Sequence, residues 1–193
     1  YMGIDVFMSC TNLIKAEIPG ELGYVPDGTF RDCSKLKEVT LEEGIKTLGR
    51  IGLTFGQDYS DNVGRDARYF DEIEYTNGQL VTTQNYNGLY TFLFYNCKSL
   101  TTIKTKASDP ENVATLPSSL ESIGNQAFAD TGLISVILPE KITTIGNPEY
   151  YQCMAGTAAP KKKTDNGYLF SNSKSLVSVY AKGNITSIGK GAF

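Results

Sequence analysis

An internal repeat constrains this chain more than any other feature. Leu138-Pro139-Glu140-Lys141-Ile142-Thr143-Thr144-Ile145-Gly146 has a counterpart 22 residues earlier, Leu116-Pro117-Ser118-Ser119-Leu120-Glu121-Ser122-Ile123-Gly124. Leu41, Ile45 and Leu48-Gly49 repeat the pattern, as do Ala181, Ile185, Ile188 and Gly189, while Ile18-Pro19, Leu22 and Val25-Pro26 form a fainter copy. Five residues beyond the Ile-Gly isoleucine comes an aromatic: Met2 to Phe7, Val25 to Phe30, Ile123 to Phe128, Ile145 to Tyr150 and Ile188 to Phe193. Three residues beyond the aromatic stands a cysteine, at Cys10, Cys33, Cys97 (after Phe94) and Cys153. Then follow Leu13/Ala16, Leu36/Val39, Leu100/Ile103, Leu133/Val136 and Leu176/Val179, and the step from Val39 to Leu48, Val136 to Ile145 and Val179 to Ile188 is nine residues each time.

The alternation L-x-x-V-x-L reads as a half-buried strand, and a following Pro ends its pairing. The I-x-x-I-G segment crosses back, Gly permitting a tight corner, and G-x-x-A-F-x-x-C suits a helical or 3-10 turn. One unit of about 23 residues cannot bury its apolar side alone, whereas stacked units share a continuous core. Within 54–93, Phe70, Ile73 and Tyr75 fit the strand pattern and Leu89 precedes Phe94 by five, so this stretch reads as a degenerate repeat with insertions. The expectation is six strands, near residues 14–18, 37–41, 72–76, 101–105, 134–138 and 177–181, in one domain spanning 1–193. Insertions fall near 54–69, 76–88, 106–115 and 154–170, and Asn77-Gly78 and Asn166-Gly167 mark hairpin turns.

These residues resemble the BspA-like class of leucine-rich repeats, whose unit is I-G-x-x-A-F-x-x-C-x-x-L-x-x-V-x-L-P. The resemblance implies a repeat solenoid of right-handed stacked coils with short parallel strands. It also implies a bacterial cell-surface or secreted setting, adhesion to a protein or glycan, and no catalytic residues. Departures are Leu53 for the aromatic, Thr131 for cysteine, and long loops.

Composition narrows the chemistry. The chain has no histidine, which excludes Ser-His-Asp and Cys-His catalysis and His-ligated zinc. A net charge of −3 argues against a nucleic-acid surface. No apolar run approaches the roughly 18 residues of a membrane span. No basic-apolar leader opens the chain, which reads as a fragment of a longer protein. The expectation is therefore no enzyme, no cofactor, no metal, no nucleic acid, no membrane insertion, and a monomer that meets a protein or glycan outside the cell.

Candidate sites follow from the strand alternation. Outward positions are Lys15, Glu17 and Pro19; Glu38, Thr40 and Glu42; Glu72, Glu74 and Thr76; Thr102, Lys104 and Lys106; Ser135, Ile137 and Pro139; and Ser178, Tyr180 and Lys182. Stacked about 4.8 Å apart, Glu17, Glu38, Glu42, Glu72 and Glu74 would form one acidic patch suited to a basic segment or a divalent cation. Tyr59, Tyr69 and Tyr86, with Tyr75 and Tyr90, lie in an Asp- and Asn-rich insertion, a composition suited to binding loops. Asp58, Asp61 and Asp66 lack the order of a calcium loop, and Lys161-Lys162-Lys163 reads as a solvated loop. Glu72 and Glu74 as a hydrolytic pair are outweighed by ordinary strand alternation. The four cysteines are expected as free, buried thiols in a ladder, with Thr131 in the same place. Three functions compete: a recognition or adhesion module, a structural spacer in a larger secreted protein, and a carbohydrate-active enzyme.

Overall fold

The computed structural model describes residues 2–3, 5–49, 73–76, 79–82, 92–124, 126–152, 162–166, 168–189 and 191–193, with backbone alone for 73–76, 79–82, 147–152 and 162–166. Its main element is a six-stranded parallel sheet made of β1 (Lys15–Ile18), β3 (Glu38–Leu41), β7 (Thr102–Lys104), β8 (Ala114–Thr115), β10 (Ser135–Leu138) and β14 (Ser178–Ala181), in that order. Short strands on the opposite side of the coils are β2 (Tyr24–Val25), β4 (Thr47–Leu48) and β9 (Ser122–Ile123) in one sheet, and β11 (Thr144–Ile145) with β15 (Ser187–Ile188) in another. Among the described residues the only regular helix is one 3-10 turn, Gly20–Leu22.

The register equates the repeat positions. Ala16, Val39 and Ile103 align across β1, β3 and β7; Ala114, Val136 and Val179 align across β8, β10 and β14. Val39, Ile103, Ala114 and Val136 are fully buried, as are Leu36, Leu100 and Leu133. A stack of phenylalanines runs from coil to coil, Phe7, Phe30, Phe94, Phe128, Phe170 and Phe193, with successive ring centroids 5.5, 5.3, 5.6, 5.5 and 5.8 Å apart and nearly parallel planes. The backbone binds alongside: the N–H of Phe30 donates to Leu93, that of Phe94 to Ala127 and that of Phe128 to Leu169. Each coil thus supplies one ring, one inward Leu and one inward aliphatic residue, and it is buried only by its neighbours.

Three sequence expectations are corrected. Ile73–Thr76 (β5) is a strand, but it pairs antiparallel with β6 (Gln79–Thr82) across Asn77-Gly78. The place beside β3 belongs to β7, with Glu38 opposite Thr102. A two-residue Asn-Gly loop favours the tight hairpin over a crossing between coils. The sixth sheet strand is instead β8, from within the expected 106–115 insertion. Ala114 lies nine residues before Ile123, so it holds the valine position of its coil, and Ile103 holds that position a second time.

Tyr150, the second correction, lies on β12 (Asn147–Gln152), which pairs antiparallel with β13 (Lys162–Asn166). Phe170 takes the aromatic place in that coil and Ser173 the cysteine place. Lys162 and Lys163 therefore belong to a strand, and Asn166 pairs with Asn147 at the base of this hairpin, away from its turn. Third, the cysteine ladder is shorter than expected. Cys33 and Cys97 are buried free thiols and Cys10 is free but exposed, while Cys153 lies outside the described residues. Thr131 does occupy the corresponding place, buried and bonded to Ser173, with oxygens 3.2 Å apart.

Candidate functional site

The sheet has one face on the core and one turned outward, and the outward side chains form rows across the strands. One row runs Lys15–Glu38–Thr102 and the next Glu17–Thr40–Lys104; beyond them lie Ser135–Ser178 and Thr115–Ile137–Tyr180. The chain between β7 and β8, residues 105–113, folds over the middle of this face. Thr102 and Lys104 point outward by alternation, yet they are 2% and 8% exposed. The Asn112 N–H donates to Thr102 Oγ1 at 3.0 Å, and Lys104 Nζ binds the carboxylate of Glu111. Within this segment Asp109 Oδ2 accepts from Thr105 N–H and Oγ1, both at 2.7 Å, and from Lys106 N–H at 3.2 Å. Those bonds overcome the effect of burial and hold the Asp109 carboxyl below its usual range.

This ridge divides the outer face into two fields. In the first, Glu38 sits between Lys15 at 3.2 Å and Lys104 at 3.4 Å. Partial burial would raise the Glu38 pKa, but the hydrogen bonds and charges of these two lysines lower it on balance. Lys104 is shifted upward, chiefly by its hydrogen bond to Glu111 and also by Glu38. Glu42 turns toward the backbone, its Oε2 accepting from the Gly20 N–H at 3.2 Å. Glu43, unremarked in the sequence, clamps the next coil: it accepts from the Ser118 and Ser119 N–H groups at 2.9 and 3.2 Å and from Ser118 Oγ at 2.8 Å. These bonds outweigh burial and hold its carboxyl below the usual range.

The expected five-glutamate patch is therefore not assembled as a stack. Glu17 is exposed, Glu38 is flanked by lysines, and Glu42 serves a turn. Glu74 lies on the hairpin strand β5, and no strand of the main sheet pairs with it. Glu72, Tyr59, Tyr69 and Tyr86 lie outside the described residues.

The second field has a different character. Ile137 and Tyr180 are cross-strand neighbours, and Tyr180 is 64% exposed. At the entrance to the same two strands lie Ile134 and Val177, 37% and 83% exposed, joined by a 2.8 Å hydrogen bond from the Val177 N–H to the Ile134 carbonyl. The Ser135 and Ser178 hydroxyls meet at 2.8 Å between them. Lys182 follows Tyr180 by two residues and is exposed. The outward positions of these two strands, Ser135, Ile137, Pro139, Ser178, Tyr180 and Lys182, hold no carboxylate. The sequence alternation had already placed these side chains outward; what it lacked was the ridge that separates them from the charged field.

Among the described residues, no group of three His, Cys, Asp or Glu side chains is placed to hold a metal ion, and no helix is long and apolar enough to cross a membrane. Among known proteins, the family model for the BspA type leucine rich repeat region matches six copies, over residues 1–53 and 111–193. No curated protein matches. A solved leucine-rich repeat protein from Bacteroides ovatus is similar over 95% of this chain and 58% of its own, at 20% identity and a TM-score of 0.25. This chain spans about three fifths of that protein's length. With six family copies over most of its residues and the stacked parallel coils described above, the chain belongs to the BspA-type leucine-rich repeat family.

Proposed function

We propose that this chain is a non-catalytic recognition module of a bacterial cell surface, and that it binds a protein partner through the outward face of its parallel sheet. One observation carries this reading: several coils present contiguous rows of side chains on a single face that the core does not need. A solenoid core is complete once its inward residues stack, so outward residues are free to vary with a partner. The absence of histidine and the engagement of Glu38, Glu42, Glu43 and Asp109 in bonds within the fold favour binding over hydrolysis.

The test is a surface-immobilised binding screen of the intact chain against secreted and matrix proteins, repeated with outer-face variants. Tyr180→Ser and Ile137→Ser in the second field, and Glu17→Lys in the first, leave the core intact. Loss of a partner with any of these supports recognition through the outer face. A partner unaffected by all of them overturns it, and no partner in a broad screen favours the spacer reading.

A further inference from the structure

We infer that the junction between the third coil (β7 to β9) and the fourth (β10 and β11) is a strand-insertion slot on the back of the solenoid, and that its occupant is an extended segment of a partner protein bound chiefly through its backbone. This surface is separate from the outer face of the main sheet, and its test does not depend on how that face is used. At the front, β8 stands between β7 and β10. The two coils therefore lie two strand spacings apart there, about 9.6 Å. At the aromatic turn they stay in contact, with the Phe94 and Phe128 rings 5.6 Å apart. The coils thus splay away from that turn, and the back opens with them. There β4 pairs with β2 and with β9, and β15 pairs with β11, but β9 and β11 belong to separate sheets.

At the other junctions, the glycine that ends each back strand donates its N–H to the preceding coil. Gly49 bonds the Val25 carbonyl at 2.8 Å, Gly124 that of Leu48 at 2.7 Å and Gly189 that of Ile145 at 2.8 Å. Among the described residues, Gly146 makes no such bond to Ile123, and the Thr143 N–H makes none to Glu121, although Lys46 and Thr186 bond Gly23 and Thr143 in the same manner. Gly146 and Ile123 are buried, and a buried backbone group without a partner is costly. The side chains carry the same opening. Leu116, Ile123, Ile142 and Ile145, in the two coils of this junction, are 4, 9, 3 and 5% exposed, whereas Leu41, Ile45 and Leu48 of the coil before are fully covered.

One side of the slot therefore offers carbonyls, at Glu121 and Ile123, and the other offers N–H groups, at Thr143 and Gly146. An extended polypeptide answers both, its N–H groups donating to the first pair and its carbonyls accepting from the second. Each back strand sets an inward aliphatic residue after an outward hydroxyl, as in Thr47-Leu48, Ser122-Ile123 and Thr144-Ile145. The occupant carries the same pair, its aliphatic side chain entering between Ile123 and Ile145. The nearby hairpin leaves the slot clear, since β12 approaches β15 on the far side of β11. The mouth is spanned by the exposed Lys141–Glu121 ion pair at 3.2 Å, a surface contact weak enough to part.

The probe is the capped peptide Lys-Ile-Thr-Thr-Ile-Gly, with one version N-methylated at alternate amides and another carrying Asp at both isoleucines. Amide hydrogen exchange on the intact chain should show Gly146 at least about a hundredfold faster than Gly49 and Gly124, and saturating peptide should slow it about tenfold or more. N-methylation and the Asp version should each weaken binding about tenfold or more. Deleting residues 103–113 removes β8 and lets the two coils stack at one spacing, which should protect Gly146 and abolish peptide binding. Exchange at Gly146 as slow as at Gly124 in the free chain overturns the inference, because the slot is then closed. A peptide that fails to bind, binds equally well when N-methylated, or binds the folded deletion variant unchanged overturns it too. If the deletion variant loses its cooperative melt, the exchange contrast and the N-methylated peptide decide.

Discussion

Cys33 and Cys97 each donate a thiol hydrogen to the phenylalanine carbonyl of the preceding coil, to Phe7 at 3.0 Å and to Phe30 at 2.9 Å, and the Ser173 hydroxyl bonds the Phe128 carbonyl at 2.8 Å in the same manner. The position thus favours a small donor: Cys and Ser use it between coils, whereas Thr131 Oγ1 donates to the Phe128 carbonyl of its own coil at 2.9 Å. Replacing Cys97 with Ser should keep the bond and stay within about 1 kcal/mol of the parent. Cys97→Ala removes both donor and volume and should cost about 1–2 kcal/mol. Urea midpoints rank the two, and a serine variant less stable than the alanine one would sink the donor argument.

Burial raises the Cys33 thiol to about 11 and the Cys97 thiol further still. The folded state then holds these protons more tightly than the unfolded chain, whose thiols titrate near their ordinary value of 9.0. Stability is therefore whole below about pH 9 and falls as pH rises from there toward the folded values. In a Cys153→Ser background at pH 8, a thiol reagent should find Cys10 alone in the native protein and three thiols after denaturation. Rapid reaction of Cys33 or Cys97 in the native state would contradict their burial. Close packing is equally exacting at Gly20 and Gly183, where a Cβ would fall 1.8 Å from the Glu43 carbonyl oxygen and 2.0 Å from that of Glu140.

Among the elements, the segment from Ile103 to Ala114 departs most from a regular coil. Ile103 and Ala114 are neighbours in the sheet, and each satisfies the same inward position. One coil thereby contributes two strands to the front sheet, while its back strand β9 pairs with β4 as in an ordinary coil. Deleting residues 103–113 joins Thr102 to Ala114 and restores the spacing Leu100, Ala114, Leu116-Pro117 of a plain repeat. That variant should fold with a cooperative melt and a Tm lowered by no more than about 10 °C, the effect of a few kcal/mol at this size. Loss of a cooperative transition would show that the ridge is required for the fold. In the folded deletion variant the two fields of the outer face would merge, so binding and folding can be compared in one protein.

Over the whole molecule, stability is the sum of coils and the contacts between them, and acid acts on several such contacts together. Glu38, Glu43 and Asp109 each have a lowered carboxyl pKa, with hydrogen bonds outweighing burial, and the three tie together different segments: β1 to β3 and β7, the Glu43 turn to Ser118, and the two ends of the ridge turn. A lowered carboxyl binds its proton less tightly in the folded state. Its stabilisation is therefore present above the unfolded values of 4.5 and 3.8 and disappears as pH falls through the folded ones. Melting temperatures should be flat from pH 5.5 to 8 and drop below about pH 4. Glu43→Gln should lower the Tm at neutral pH and flatten that drop, and a variant with an unchanged acid profile would remove Glu43 from the account.

The repeat alone determined the family, the parallel sheet, the inward residues, and which strand residues face outward, since a period of two along a strand and a fixed nine-residue step leave one way to bury L-x-x-V-x-L. The hairpin at Asn77-Gly78 was also legible, because a two-residue Asn-Gly loop is a local signal. The strand in the 72–76 region matched the pattern but not the sheet, because a five-residue alternation is the same for a hairpin and a coil. Counting nine residues back from Ile123 would have found Ala114, and Phe170-x-x-Ser173-x-x-Leu176 would have outranked Tyr150 once a hydroxyl was accepted in place of the thiol. Only tertiary structure decided how the outer face is used. Whether a glutamate is a bare charge or half of an ion pair depends on which strand lies next to it, and that neighbour is set by the three-dimensional path of the insertions. The same paths raised the 105–113 ridge across the sheet beside Ile137 and Tyr180, a pair that the repeat register itself makes neighbours.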